Sequence, residues 1–149
     1  LAAKDATSLQ QQLSALKVDS VLSYLHIVNV SGTRLYEDGA GGHFRSSSTL
    51  LKAAQGQPTV NIEIFSAEEL AAEDPFLARN LELPLLDTPR ARPTTRKVED
   101  RGMMIRAIYP IKQSNGKIIA LLDGGVLLNS NFSFVDAIRD LVYGPGSLL

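Results

Sequence analysis

Six cations fall within one short stretch of the chain: Arg90, Arg92, Arg96, Lys97, Arg101 and Arg106. Nucleic-acid binding is one use for such a cluster. Glu99, Asp100 and Pro93 interrupt it, few aromatics are present to stack on bases, and a net charge of −1 gives no attracting field. A second use is a solvated, ion-paired surface, which suits Arg90 and Lys97. A third is anion capture, in which an arginine on a strand offers a carboxylate two parallel charge-assisted hydrogen bonds. Arg106 suits this best. It lies in the apolar run Met103-Met104-Ile105-Arg106-Ala107-Ile108-Tyr109, where an uncompensated charge is costly. Its anion is therefore an Asp or Glu of the fold or a ligand. Asp123, among Ala120, Leu121 and Leu122, is placed to pair with an arginine or to hold a cationic group of a ligand. If Arg106 and Asp123 pair with each other, both are structural and the ligand site lies elsewhere.

Catalytic arrangements are thin. The two histidines are His26, in a strand, and His43, in a glycine-rich loop, and no His-Glu-x-x-His spacing joins them. No cysteine is present, which removes disulfides, thiolate metal sites and cysteine nucleophiles together. No Gly-x-Ser-x-Gly elbow occurs, and Gly39-Ala40-Gly41-Gly42 lacks the lysine of a phosphate-binding loop. The expectation is a protein without enzymatic activity, metal or cofactor. Tyr24 and His26 alternate with Leu25 and Ile27 and so share one strand face. They read either as a satisfied core pair or as directional donors lining a pocket. The candidate ligand-contacting residues are Tyr24, His26, Arg101, Arg106, Tyr109 and Asp123.

These residues need elements to hold them. At 149 residues the chain fits one domain, spanning 1–149, with room for a real core. No apolar run is long enough to cross a bilayer. Residues 1–18 read as a helix with Leu9, Leu13 and Leu16 on one face. Strands are expected at 21–29 and, after the Ser31-Gly32 turn, at 33–37, with a flexible loop at 38–42. A serine-capped helix follows at 49–54, ended by Gly56. Residues 59–65 alternate with period two, with Asn61 and Glu63 as the outward polar members. Ser66 starts one helix or two short ones running to about Leu81. After a proline-broken connector, one long strand is expected at 96–112. A hairpin turn at Asn115-Gly116 leads into its partner at 117–128. Last comes an amphipathic helix near 130–142, capped by Ser130 or Asn131, with Phe134, Ile138, Leu141 and Val142 on its apolar face. Hairpin-joined strands with interspersed helices predict an antiparallel sheet with helices on one side, an α+β fold of the PAS-like kind that encloses a small cavity. Both ends read as cuts within a longer protein.

Pro93-Thr94-Thr95-Arg96-Lys97-Val98-Glu99-Asp100-Arg101-Gly102-Met103 is distinctive, as are Tyr109-Pro110-Ile111 and Leu121-Leu122-Asp123-Gly124-Gly125-Val126-Leu127-Leu128-Asn129. With Val135-Asp136 and Ile138-Arg139-Asp140, this succession resembles the extracytoplasmic Cache domains of bacterial methyl-accepting chemotaxis receptors and sensor histidine kinases. Val28-Asn29-Val30-Ser31-Gly32-Thr33 resembles the strand–turn–strand of that superfamily, with Asn29 where an aspartate is common. The resemblance covers nearly the whole chain, strongest from Arg92 onward. It implies a periplasmic, PAS-like sensor module that follows a transmembrane helix, with a second Cache module sometimes beyond it. The module would bind a small metabolite, an organic acid such as acetate or an amino acid. The membrane-anchored receptor, a chemotaxis transducer in preference to a sensor histidine kinase, would act as a homodimer. The alternative is a PAS-like dimerisation or protein-interaction module with a filled core and no small-molecule ligand.

Overall fold

A computed structural model describes residues 3–18, 21–35, 46–79, 81–86, 88–129 and 131–144. The expected return strand beyond Leu35, the glycine loop with His43, and Ser130 lie outside the described residues. The elements are helix α1 (Ala3–Val18), strand β1 (Tyr24–Val28), helix α2 (Ser48–Ala54), strand β2 (Thr59–Phe65), helices α3 (Ala67–Glu73) and α4 (Pro75–Ala78), strands β3 (Leu83–Pro84), β4 (Val98–Glu99), β5 (Gly102–Lys112) and β6 (Ile118–Leu127), and helix α5 (Phe132–Tyr143). The chain is a mixed α+β fold. Its main sheet has four antiparallel strands in the order β1-β6-β5-β2, and β3 and β4 form a separate pair.

Local chemistry places most boundaries. Ser47 caps α2 by accepting the Leu50 N–H, and Gly56 leaves it with φ +93. Ser66 and Glu69 form a reciprocal capping box on α3. Asp74 then breaks the helical run and caps α4 ahead of Pro75, so the segment is two short helices. The hairpin closes through Gln113 and Lys117, with Gly116 at φ +81 and the Asn115 side chain accepting the Lys117 N–H. Asn29 organises the turn after β1 in the same way, accepting from the backbones of Ser31 and Thr33.

The long strand expected at 96–112 is divided. Val98–Glu99 pairs with Leu83–Pro84, and the main strand begins only at Gly102. Between them Glu99 folds its carboxylate back onto the Arg101 backbone and guanidinium, a local bond that competes with a continuous ladder. Gly102 then enters the sheet where a Cβ would lie 2.5 Å from Leu70 Cδ1 and 2.9 Å from Leu127 Cδ1, so any larger residue there must displace those side chains.

Strand alternation sorts the sheet into two faces. Tyr24, His26 and Val28, Leu121, Asp123 and Gly125, Met104, Arg106 and Ile108, and Asn61, Glu63 and Phe65 are in register on one face. Against that face α2 and α3 bring Leu50, Ala53 and Leu70 to form the core with Tyr24, Val28, Phe65, Met104, Ile108 and Leu121. Leu13 of α1 is buried, but Leu16 is exposed, so the expected α1 stripe is only partly used. The expectation for β2 is reversed. Asn61 and Glu63 turn toward the core face, and Val60, Ile62 and Ile64 turn to solvent. The apolar face of α5, with Phe134, Ile138, Leu141 and Val142, also remains exposed. Among the described residues, no helix is long and apolar enough to cross a membrane.

Candidate functional site

The core face carries a connected set of charged side chains. Arg106 points inward from β5 and is only 1% exposed, and Asp123 on the neighbouring strand β6 is fully buried. Their contact is bidentate: Arg106 Nη2 donates to Asp123 Oδ2 at 2.6 Å and Nε donates to Oδ1 at 3.0 Å. From β2, Glu63 accepts a third bond from Arg106 Nη1 at 3.1 Å, and Ser47 at the start of α2 accepts a weaker one. Arg106 therefore draws its anions from inside the fold, and the pairing with Asp123 that would make both structural is present.

Tyr24 extends the set toward β1. Its hydroxyl donates to Asp123 Oδ1 at 3.1 Å, and its ring stacks on that of His26 with centroids 5.4 Å apart. Gly125 opposite makes room, because a Cβ there would press into the Tyr24 ring and approach Met104 Sδ to 2.9 Å. His26 Nε2 lies 2.8 Å from Glu73 Oε2 at the end of α3, and Arg34 Nη2 donates to the same oxygen at 2.9 Å. Two ionic clusters, Glu63–Arg106–Asp123 and His26–Glu73–Arg34, are thus bridged by one tyrosine.

Burial and charge oppose each other in the first cluster. Burial pushes the Asp123 carboxyl above its ordinary range, against the pull of Arg106 and the Tyr24 hydroxyl. Burial would lower the Arg106 pKa, but the hydrogen bonds and charge of Asp123 overcome it and raise it. Burial also raises Tyr24 well above the usual tyrosine range, with the Asp123 charge adding to the effect. Burial acts to raise Glu63, but bonds from Thr49, Ser47 and Arg106 outweigh it and hold the carboxyl low.

The second cluster borders a cleft of about 140 Å³ between α1 and β1. Gln10, Ser14 and Lys17 face it from α1, and Tyr24, His26, Arg34 and Glu73 from the other side. Lys17 Nζ also lies 3.7 Å from Asp74. The cleft offers donors from Lys17, Arg34 and His26 and a carboxylate from Glu73. Among the described residues, no group of three or more His, Asp or Glu side chains is placed to hold a metal ion.

Of the six residues singled out from sequence, Tyr24, His26, Arg106 and Asp123 come together. Two do not. Arg101 lies exposed against Glu99, whose carboxyl its hydrogen bond and charge hold down to about 2. Tyr109 is three residues from Arg106, so strand alternation puts it on the opposite face, exposed beside Gly56, Pro58 and Lys112. Arg34, Glu63 and Glu73 complete the clusters and were not among the six. Glu63 carried the one usable signal, a carboxylate on a strand alternating with β-branched residues, but nothing in the sequence says which face turns inward. Comparison with protein-family models, characterised proteins and solved structures finds no match to this chain.

Proposed function

We propose that this chain is an extracytoplasmic ligand-sensing domain of a membrane receptor, of the PAS-like Cache kind, and that it binds a small organic acid or amino acid in the cleft between α1 and β1. The observation that carries the reading is the lining of that cleft. Lys17, Arg34 and His26 supply donors for a carboxylate, and Glu73 and Tyr24 supply partners for an amino or hydroxyl group. The strand order β1-β6-β5-β2, with Arg34 bridging back to Val28 beside β1, is compatible with a PAS-like sheet. The cleft is walled on one side by α1, so a ligand that binds one α1 position better than another shifts that helix without any chemistry. A chemotaxis transducer is the favoured parent receptor and the periplasm the favoured location, on the sequence resemblance described above.

One observation favours a second reading. The ion cluster around Arg106 fills the core face between the sheet and α2, which suits an interaction module with no ligand there. A thermal-shift screen of short organic acids and amino acids separates the two. A saturable rise in Tm, lost in Lys17→Ala and His26→Ala but retained in Arg101→Ala, supports the sensor. No shift with any compound, or a shift indifferent to Lys17 and His26, overturns it.

A further inference from the structure

Strand β2 ends the sheet. It pairs with β5 on one side, and among the described residues no backbone group of another segment bonds its other edge. Exposed edges invite pairing, and proteins blunt them with lysine, proline, bulges or a covering segment. Residues 59–65, Thr-Val-Asn-Ile-Glu-Ile-Phe, contain neither lysine nor proline, and the β2–β5 register runs without a bulge. The row that turns outward is apolar and β-branched: Val60 is 64% exposed, Ile62 63% and Ile64 41%. On the adjacent strand Met103 and Tyr109 extend that row, 45% and 61% exposed. The polar alternates are occupied inward, Glu63 by Arg106 and Asn61 by Thr49.

We propose that β2 is a self-association edge, and that two copies of this chain pair their β2 strands antiparallel about a two-fold axis at Ile62, fusing their sheets into one. The strand is self-complementary in that register. Ile62 meets its own counterpart, Val60 meets the second copy's Ile64, and Glu63 meets an uncharged Asn61, so the outward face becomes a ladder of branched aliphatic pairs. Neighbouring registers are worse. Centring on Glu63 sets two carboxylates directly opposite each other. Centring on Asn61 brings Ile64 opposite Pro58, which has no N–H to offer a ladder. This symmetry selects a second copy of the chain over an unrelated strand. The edge is at the other end of the sheet from β1 and its cleft, so the proposal stands apart from the ligand reading.

The test uses the absence of cysteine from the chain. Directly opposed residues of an antiparallel pair have Cα atoms about 4.5–5.5 Å apart, within disulfide reach. Ile62→Cys is therefore expected to cross-link to its counterpart under mild oxidation at least tenfold faster than Val60→Cys. The two copies of residue 60 would stand roughly 13 Å apart along the ladder. Light scattering at tens of micromolar should give a dimer for the wild type. Ile62→Lys, which opposes two ammonium groups at an exposed position, should give a monomer with unchanged circular dichroism. A monomeric wild type, a dimer that survives Ile62→Lys, or equal cross-linking of the two cysteine variants overturns the proposal.

Discussion

Replacing Asp123 by asparagine keeps the side-chain shape and removes one charge from a site that water does not reach. Asp123 accepts from Arg106 Nε and Nη2 and from the Tyr24 hydroxyl. In the variant an amide faces a guanidinium that is 1% exposed. Removing one partner of a buried ion pair costs about 3–5 kcal/mol. Glu63 still neutralises part of the Arg106 charge, and no cavity opens, so the lower end applies, about 3 kcal/mol. For a domain of this length each kcal/mol moves Tm by about 2–4 °C, giving a loss of roughly 6–12 °C. The matched triple variant Glu63→Gln, Arg106→Met, Asp123→Leu removes every charge of the cluster and leaves no carboxylate without its cation, and replacement of buried ion pairs by uncharged groups is often neutral or stabilising. Calorimetry at pH 7 should show the triple variant closer to wild type than Asp123→Asn. A single variant within about 2 °C of wild type would refute the claim that this pair is a desolvated, mutually dependent unit.

Two further outcomes follow from the same face. Gly125→Ala drives a methyl group into the Tyr24 ring and toward Met104 Sδ, and such overpacking costs about 1–3 kcal/mol, readable as a lower urea midpoint. Glu63 is held below the ordinary glutamate value of 4.5, so its contribution is present above that value and is lost as pH falls below it through the lowered folded value. Glu63→Gln should flatten the loss of stability on acidification below that value and leave a lower, more level profile, measured by urea unfolding down the acid limb. A variant with the wild-type acid slope would remove Glu63 from the cause.

Local signals were legible because their causes are local. Ser66 with Glu69, Ser47 and Asn115-Gly116 each fix a few backbone angles through bonds spanning a handful of residues, and the alternation of 59–65 follows from the pleat of the strand itself. The resulting β2, Thr59–Phe65, coincides with its expected range. The division of 96–112 was not legible by alternation, because a two-residue carboxylate hook at Glu99–Arg101 leaves the hydrophobic pattern unchanged. Arg34 and Glu73 were invisible as a pair. They are 39 residues apart in the chain and meet only because the last residue of α3 lies against His26 of β1 and Arg34 bridges back to Val28 of the same strand.

The need of Arg106 for an anion is written in its neighbours, since the apolar run around it forbids a lone charge. Composition likewise fixes the lack of cysteine and of the thiolate chemistry that goes with it. Which anion answers Arg106 was decided by strand register: Ile108 opposite Asp123 sets the aspartate two residues along from Arg106 on the same face, and Asn61 opposite Arg106 brings Glu63 within reach. The same register placed Tyr109 on the far side of the sheet and left Val60, Ile62 and Ile64 facing outward. Alternation defines two faces, but only packing of α2 and α3 against one of them decides which is the interior.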